Sequence, residues 1–439
     1  MRWPMVIAVT LACSLLPVAA AVCTQEKGQD STPVQSPASS SQAGAVALQR
    51  PETSPSRMLA DRSSRDRRNM FGFSLSFQGF YDSNIFGGSS TEVGARGAGF
   101  SPSVFANFSS RKYVFHVDGS YSYRNYLRHS ELNANVEGGG LEFIYQPTRR
   151  LHFSVVGNVR GGTNDFLSYA GAGLGMASTN LTGAPLQTFF NPMHMFTGSA
   201  TSDVSFESSR NNTLNASAQY TDSRFTQMRT ANTNQIAGQA SDSYKFSSKW
   251  SMVVQAQSQW IGSDTGVTNG RMESFTGGLS YQAPKGWGFS WTAGDQRVRS
   301  ANGVSDGITA QLSATRASER NRFSVHYSRS AGYQLGLTGL NKMDSFDAAF
   351  DRSFGRRVSF HLTSRYYRTL GVALYGGLNT VVGSAGWEFA LSPSLVASLS
   401  GDYMHQTQKA VTTTALTLNA DRYMAFVGIS YSFPSARPK

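Results

Sequence analysis

The most chemically capable side chains in this 439-residue chain are histidine, aspartate and serine residues at alternate positions of two segments. His116, Asp118 and Ser120 are each two residues apart, and His326 and Ser328 repeat this spacing. Such groups can serve as acid, general base and nucleophile. In an extended strand they share one face but lie about 7 Å apart, which is too far for a direct nucleophile-to-base hydrogen bond unless the side chains lean together. The spacing therefore favours a polar strand face, and an enzyme is the weakest functional alternative.

Metal and cofactor sites are not predicted. The seven histidines show no ligand spacing, and the chain has only two cysteines, Cys13 and Cys23. The histidines are His116, His129, His152, His194, His326, His361 and His405. The 43 glycines form no phosphate-binding loop. We therefore expect no metal, no cofactor and no catalytic residues.

Alternation of apolar and polar residues is the dominant pattern of the chain. In residues 113–124, aromatic and aliphatic side chains occupy nearly all the odd positions, and polar side chains most of the even ones. Successive side chains of a strand point to opposite faces, so this strand separates an apolar phase from a polar one. Similar segments recur from Phe71 to Phe433 with turn residues between them. The pattern predicts an all-β, transmembrane, antiparallel up-and-down β-barrel over residues 71–433, because a soluble sandwich or propeller would carry more than 15% charged residues.

The number of strands follows from the connections between the alternating segments. Eight short turns, such as Pro147-Thr148-Arg149-Arg150, alternate with nine connections that are mostly longer. This asymmetry is typical of outer-membrane barrels and predicts about eighteen strands. The weak alternation over residues 132–145 fits one strand with a bulge, and it leaves sixteen strands as an alternative.

The N-terminal region carries export signals. Residues 1–21 combine Arg2, an apolar run and three alanines, which is typical of a cleavable signal peptide. We expect residues 22–70 to form a disordered periplasmic segment that is first rich in Ser, Pro and Gln and then in Arg. A short tail, residues 434–439, would follow the barrel. These features predict the bacterial outer membrane as the location.

The terminal strands carry a family resemblance. Residues 423–433 resemble the last strand of bacterial outer-membrane proteins, which ends in an aromatic residue that the barrel insertion machinery recognises. Phe433 would be that residue, although six more residues follow it. Residues 71–77 and the motif Tyr81-Asp82-Ser83-Asn84 resemble the opening of the β-barrel porin 2 group and of related barrels found with exopolysaccharide systems. The resemblance implies a porin-like barrel.

The parity of the strands identifies candidate pore-lining residues, in which neither charge sign dominates. These are His116, Asp118, Arg124, Arg160, Asp165, Gln255, Gln257, Gln259, Asp347, Asp351 and Arg365. The longest connection, residues 161–198, contains Asp165 as its one charged side chain. It either folds into the lumen as a constriction or packs outside on its neighbours or on a partner subunit.

A mixed polar lining suits small neutral solutes, so we expect a porin-like channel for passive diffusion of small polar solutes. The alternative is an outer-membrane component for export of exopolysaccharide or another envelope polymer.

The net charge of +12 comes mainly from arginine and lysine residues at the short turns. A cationic ring at that position would contact anionic lipid headgroups. Because the charges are dispersed over turns of an exported barrel, nucleic-acid binding is not expected. The expected partners are outer-membrane lipid and the insertion machinery, and the sequence leaves a homo-oligomer open.

Overall fold

The computed structural model describes residues 70–85, 93–110, 112–164, 193–226, 232–263, 269–283, 286–300, 303–333, 340–370, 375–410 and 419–433. The predicted signal peptide, nearly all of the predicted disordered segment and the predicted C-terminal tail lie outside these residues.

Eighteen β-strands make up the fold. They are β1 (Met70–Asp82), β2 (Ala95–Ser109), β3 (Tyr113–Tyr126), β4 (Ala134–Tyr145), β5 (Leu151–Asn164), β6 (Met193–Glu207), β7 (Asn212–Phe225), β8 (Thr233–Lys245) and β9 (Trp250–Ser263). The second half comprises β10 (Gly270–Ala283), β11 (Trp287–Ser300), β12 (Gly303–Ala317), β13 (Asn321–Tyr333), β14 (Leu340–Phe354), β15 (Val358–Leu370), β16 (Tyr375–Ala390), β17 (Leu395–Ala410) and β18 (Asn419–Phe433).

The strands form one closed antiparallel barrel. Each strand pairs with its sequence neighbours, and β1 pairs with both β2 and β18, so the sheet has no free edge. The predicted all-β barrel is therefore confirmed, with eighteen strands and not sixteen. β4 is a single strand that pairs with β3 in an unbroken register from Tyr145 to Ala134. The bulge that the weak alternation suggested is therefore not present in this pairing.

Helical structure in the described residues consists of one short 3-10 turn, Ser130–Leu132, between β3 and β4. None of the described helical residues forms a segment that is long and apolar enough to cross a bilayer.

Hydroxyl side chains shape the short turns. In five of them, a serine or threonine oxygen accepts a hydrogen bond from the backbone amide three residues later, at 3.0–3.4 Å. The five acceptors are Ser110, Thr148, Ser209, Ser247 and Ser318. Side-chain hydrogen bonds of this kind stabilise a tight reversal of the chain. The eight predicted short turns connect β2 to β3 and every second pair of strands after that.

The two faces of the sheet differ in polarity and in burial. Along β18, Arg422, Met424 and Phe426 are buried, whereas the alternating Tyr423 and Val427 are exposed. Side chains on the concave face of a closed sheet converge and shield one another, whereas those on the convex face diverge. The buried set therefore lies inside the barrel and the exposed aromatic and aliphatic set lies outside.

The outer face has an apolar band of membrane thickness. On β12, the outward residues between Arg316 and Asp306 are Ala314, Leu312, Ala310 and Ile308. Ten residues span about 34 Å along a strand, which at the usual barrel tilt corresponds to an apolar band of about 25 Å.

Aromatic rings and guanidinium groups mark both borders of this band. The Arg316 guanidinium lies 5.2 Å from the Trp287 ring at the turn end, and that of Arg271 lies 4.9 Å from the Trp260 ring at the loop end. Amphipathic and cationic side chains of this kind are typical of a membrane interface.

Candidate channel lumen

The strand register places ten of the eleven candidate pore-lining residues on the concave face. They are His116, Asp118 and Arg124 in β3, Arg160 in β5, Gln255, Gln257 and Gln259 in β9, Asp347 and Asp351 in β14, and Arg365 in β15. The eleventh, Asp165, lies outside the described residues. Whether the ten line a conducting pore stays a prediction.

The predicted third loop is shorter at both ends than the sequence suggests. β5 continues to Asn164 and β6 begins at Met193, with Gly161 paired to Phe196 and Gly162 to Met195. Gly162 has φ of 133°, a conformation that suits glycine, so it continues the pairing where another residue would be strained. The rest of the loop, residues 165–192, lies outside the described residues, and its placement in the lumen stays a prediction.

Charged residues occupy the concave face of β13–β15. His326, Asp347 and Arg365 lie at directly paired positions on these three strands, and Arg365 Nε is 3.1 Å from Asp347 Oδ1. On β3, His116 Nε2 lies 3.4 Å from Asp118 Oδ1. Asp347 and Arg365 are thus a pair of opposite charges on the wall, and Asp118 has a histidine beside it.

The residues considered for catalysis do not form a nucleophile and base pair. The Ser328 hydroxyl lies 2.7 Å from that of Ser345, not from His326 on its own strand. Neither Ser120 nor Ser328 is hydrogen-bonded to a histidine in the part of the chain that the structure describes. Among the described residues there is also no group of three His, Cys, Asp or Glu side chains that could hold a metal ion.

Several concave charged residues escaped the sequence analysis. They are Asp82 in β1, Glu142 in β4, Asp203 in β6, Arg322 in β13 and Arg422 in β18. The alternation of faces along a strand, which identified the other pore-lining candidates, applies to these residues as well. They were missed because they lie close to strand ends, or in strands whose alternation is weak.

A buried ion pair joins the first and last strands of the barrel. Asp82 and Arg422 are 0% and 3% exposed, and Arg422 Nε donates to Asp82 Oδ1 at 2.9 Å while its terminal nitrogen contacts the second carboxylate oxygen. Asn84 Nδ2 donates to the carbonyl oxygen of Asp421 at 3.0 Å. The Tyr423 amide donates to Ser83 Oγ at 2.9 Å. The motif Tyr81-Asp82-Ser83-Asn84 therefore holds β1 against β18 where the barrel closes.

Apolar side chains pack around this ion pair inside the barrel, and we name the group the seam cluster. It consists of Phe80, Ile85, Ala95, Tyr126, Leu132, Val382, Met404, Met424 and Phe426. The Phe80 and Tyr126 rings meet edge to face at 5.0 Å, and Phe80 lies over Gly97, where a Cβ atom would collide with the ring. Close packing of large buried side chains excludes water from between them. The seam cluster therefore narrows the lumen on its side, toward the loop end of the barrel.

Charged side chains reach across the same sector. Arg124 on β3 is buried and interacts electrostatically with Asp402 on β17, which also accepts a hydrogen bond from Ser384. Three strands lie between β3 and β17, so this interaction spans the interior and does not follow the wall.

The opposite side of the lumen has a different composition, and we name the concave face of β7–β12 the neutral wall. In the described parts of these six strands, Lys245 at the turn end is the one charged side chain on this face. The other large polar side chains are serine, threonine, asparagine and glutamine. One row of directly paired positions crosses all six strands: Ser217, Gln239, Gln257, Ser274, Gln296 and Gly307. β9 lies nine strand positions from β18, which is half of the eighteen-stranded barrel.

Comparison with known proteins gives distant likenesses of fold only. No family model matches the chain, and no curated protein matches it in sequence. Among solved structures, the chain is similar to the outer membrane protein OpdK from Pseudomonas aeruginosa, with 10% identity, 83% of this chain and 99% of that chain covered, and a TM-score of 0.42. OpdL from Pseudomonas aeruginosa has 12% identity, with 83% and 98% of the two chains covered and a TM-score of 0.42. OccAB3 from Acinetobacter baumannii has 10% identity, with 83% and 99% covered and a TM-score of 0.43. Similarity at this level carries no argument about function.

Proposed function

We propose that this protein is a porin-like channel of the bacterial outer membrane through which small polar solutes diffuse passively. The observation that carries the proposal is the closed eighteen-stranded barrel, polar on its concave face and apolar over a band of membrane thickness on its convex face. Barrels of eight strands fill their interior with side chains, whereas those of sixteen to eighteen strands leave an aqueous channel.

The composition of the concave face supports passive diffusion. Opposite charges pair on the wall, as Asp347 and Arg365 do, and the neutral wall adds hydroxyl and amide groups. Such a lining replaces part of the hydration shell of a small polar solute without holding it tightly. An enzymatic role finds no support in the described residues, because Ser328 bonds to another serine.

Four further proposals start from sequence features. The first is membership of the β-barrel porin 2 group with a role in export of an envelope polymer, which rests on the sequences of the terminal strands. The second is that the insertion machinery recognises Phe433, which rests on the sequence of the last strand. Secretion through a cleavable signal peptide rests on residues 1–21. Contact of the turn-end arginines with lipid headgroups is supported by the position of Arg316 beside Trp287 at the border of the apolar band.

Single-channel recording tests the proposed function. The refolded barrel is inserted into a planar bilayer, and its conductance in potassium chloride is compared with that of a variant lacking residues 165–192. We expect stepwise currents in both proteins, and larger steps in the variant if these residues narrow the lumen. A barrel that migrates as a folded species in electrophoresis without heating but passes no current would overturn the proposal of a passive channel.

A further inference from the structure

We propose that the neutral wall is a binding track for neutral polyhydroxylated solutes, that is, for carbohydrates. This inference rests on the proposed function, because it names the class of solute that the same lumen takes.

The first argument is the position of the neutral wall relative to the seam cluster. The seam cluster packs apolar and ion-paired side chains against the inside of the sector around β18 and β1. The neutral wall is centred half a barrel away, on β9 and β10. The neutral wall also has buried side chains, such as Gln259 and Val298, but Gln255 and Gln257 are half-buried. Because the large side chains of the seam cluster narrow the lumen on their side, we place the aqueous path nearer the neutral wall.

The second argument is the hydrogen-bonding capacity of that wall. Gln239 and Gln257 lie at directly paired positions on β8 and β9, and Gln257 is paired in turn with Ser274 on β10. An amide offers two donors and an acceptor, and a hydroxyl offers one donor and two acceptor lone pairs. Sugar hydroxyls are also donors and acceptors at once, so this row can satisfy them in either orientation.

The third argument is the spacing of these groups along the strand. Gln255, Gln257 and Gln259 occupy three successive concave positions of β9. Same-face residues of a strand lie about 7 Å apart, and neighbouring strands about 4.8 Å apart. The wall therefore presents a grid of amides and hydroxyls with a mesh close to the size of one sugar ring, and a solute can exchange one set of hydrogen bonds for the next as it moves.

The fourth argument concerns charge and affinity. With Lys245 as the one charged concave residue in the described parts of these strands, the wall has no fixed counter-charge for an ionic solute along most of its length. An aromatic ring would hold a sugar strongly, and in the described parts of β8–β12 the concave positions carry no aromatic residue. Binding through exposed hydrogen bonds alone is weak, as a track for passage requires.

Sugar block of the single-channel current tests this proposal. The neutral trisaccharide maltotriose is added to the refolded, bilayer-inserted barrel, and the dissociation constant is read from the decrease in potassium chloride current. The test variant is Gln239→Ala/Gln257→Ala, and the matched control is Gln78→Ala, which removes a concave amide of β1 on the opposite side of the barrel. A polyethylene glycol of equal hydrodynamic size controls for simple exclusion by volume.

We expect maltotriose block to weaken about fivefold or more in the double variant, since two hydrogen-bonding amides are lost from the row. Block by the polymer, and block of the Gln78→Ala variant by maltotriose, should stay unchanged. Equal maltotriose block in wild type and double variant would overturn the binding track while leaving the channel proposal intact.

Saturation-transfer NMR with the barrel in detergent separates failure of the two proposals. A barrel that passes no current but transfers saturation to maltotriose, with loss of transfer in Gln239→Ala/Gln257→Ala, would refute the passive channel and support the binding track. Absence of transfer to wild type would refute the track.

Discussion

The two sides of the lumen differ in how their side chains pack and in how they carry charge. The seam cluster is a small protein core, in which Met404 is 2% exposed and the Asp82 carboxylate is fully buried against Arg422. The neutral wall presents half-buried amides such as Gln255 and Gln257 beside buried ones such as Gln259 and Gln296, and Lys245 is its one charged side chain in the described parts of the strands. The two sectors therefore differ in charge and in the share of apolar side chains. We propose that one sector stabilises the closing seam and that the opposite sector is the one that solutes contact.

The largest expected effect comes from breaking the buried ion pair. Removing one partner leaves the other charge buried without compensation, which typically costs about 3–5 kcal/mol. We therefore expect Arg422→Ala to lower the free energy of unfolding by that amount, as measured by urea titration of the refolded barrel in detergent.

Two controls sharpen this prediction. The double variant Asp82→Ala/Arg422→Ala removes both charges and should recover part of the loss. Arg297→Ala breaks an ion pair with Asp306 on the outer face, where both side chains are more than half exposed, and should leave the urea midpoint unchanged. Equal loss in Arg422→Ala and Arg297→Ala would contradict the view that burial gives the seam pair its importance.

The second effect comes from the apolar part of the seam cluster. Met404→Ala removes a buried side chain and leaves a cavity among Val382, Met424 and Phe426, so we expect a loss of about 2–4 kcal/mol in the same titration. Gln255→Ala on the neutral wall should change the free energy of unfolding by less than about 0.5 kcal/mol, because that side chain is partly exposed. Similar losses in both variants would mean that the neutral wall is also a packed core.

The third effect concerns charge in the lumen. Gln257→Glu places a carboxylate at the middle of the neutral wall, and we expect the ratio of potassium to chloride permeability to rise about twofold, since charged rings and side chains set ion preference in a pore. The measurement is the reversal potential across a potassium chloride gradient. Gln78→Glu, on the seam side of the concave face, is the control and should have the smaller effect. A larger shift from Gln78→Glu would place the ion path beside the seam and not beside the neutral wall.

The sequence alone predicts those features of the two sides of the lumen that are local in the chain. The alternation in β3 and the short turns predict strands and faces, because both depend on residues close together in the chain. They predict about eighteen strands but leave sixteen open, which the closed register then decides. It also places Gln255, Gln257 and Gln259 on the polar face.

The seam cluster could not be predicted in the same way. Asp82 and Arg422 are 340 residues apart, and only closure of the barrel brings them together. In the sequence, Asp82 is part of a four-residue motif near a loop, and Arg422 is a single charged residue near the start of a strand. The neutral wall was missed for a related reason: it is defined by six strands whose individual faces look ordinary, and it is recognisable only once their register is known.

The smallest expected effect tests how firmly the seam cluster is covered at its loop end. Leu132 belongs to the cluster and lies in the 3-10 turn Ser130–Leu132, next to Glu131, whose Oε1 is 3.1 Å from His129 Nδ1. A hydrogen bond that the Glu131 carboxylate accepts from its own backbone amide, and then the one with His129, lower the pKa of Glu131 below its ordinary value of 4.5. A carboxylate with a lowered pKa stabilises the turn above its ordinary pKa, and this contribution is lost as the pH falls through the lowered value.

We therefore expect Glu131→Gln to increase deuterium exchange of residues 127–133 modestly at pH 7, and to have no effect relative to wild type at a pH below the lowered pKa of Glu131. The exchange of β8 and β9 amides on the neutral wall is the internal control and should not change at either pH. Because Glu131 is exposed, the change should be confined to this turn and leave the urea midpoint of the barrel unaltered. An increase of equal size at the lower pH would show that the carboxylate charge does not hold the turn, and that Leu132 is kept in the seam cluster by packing alone.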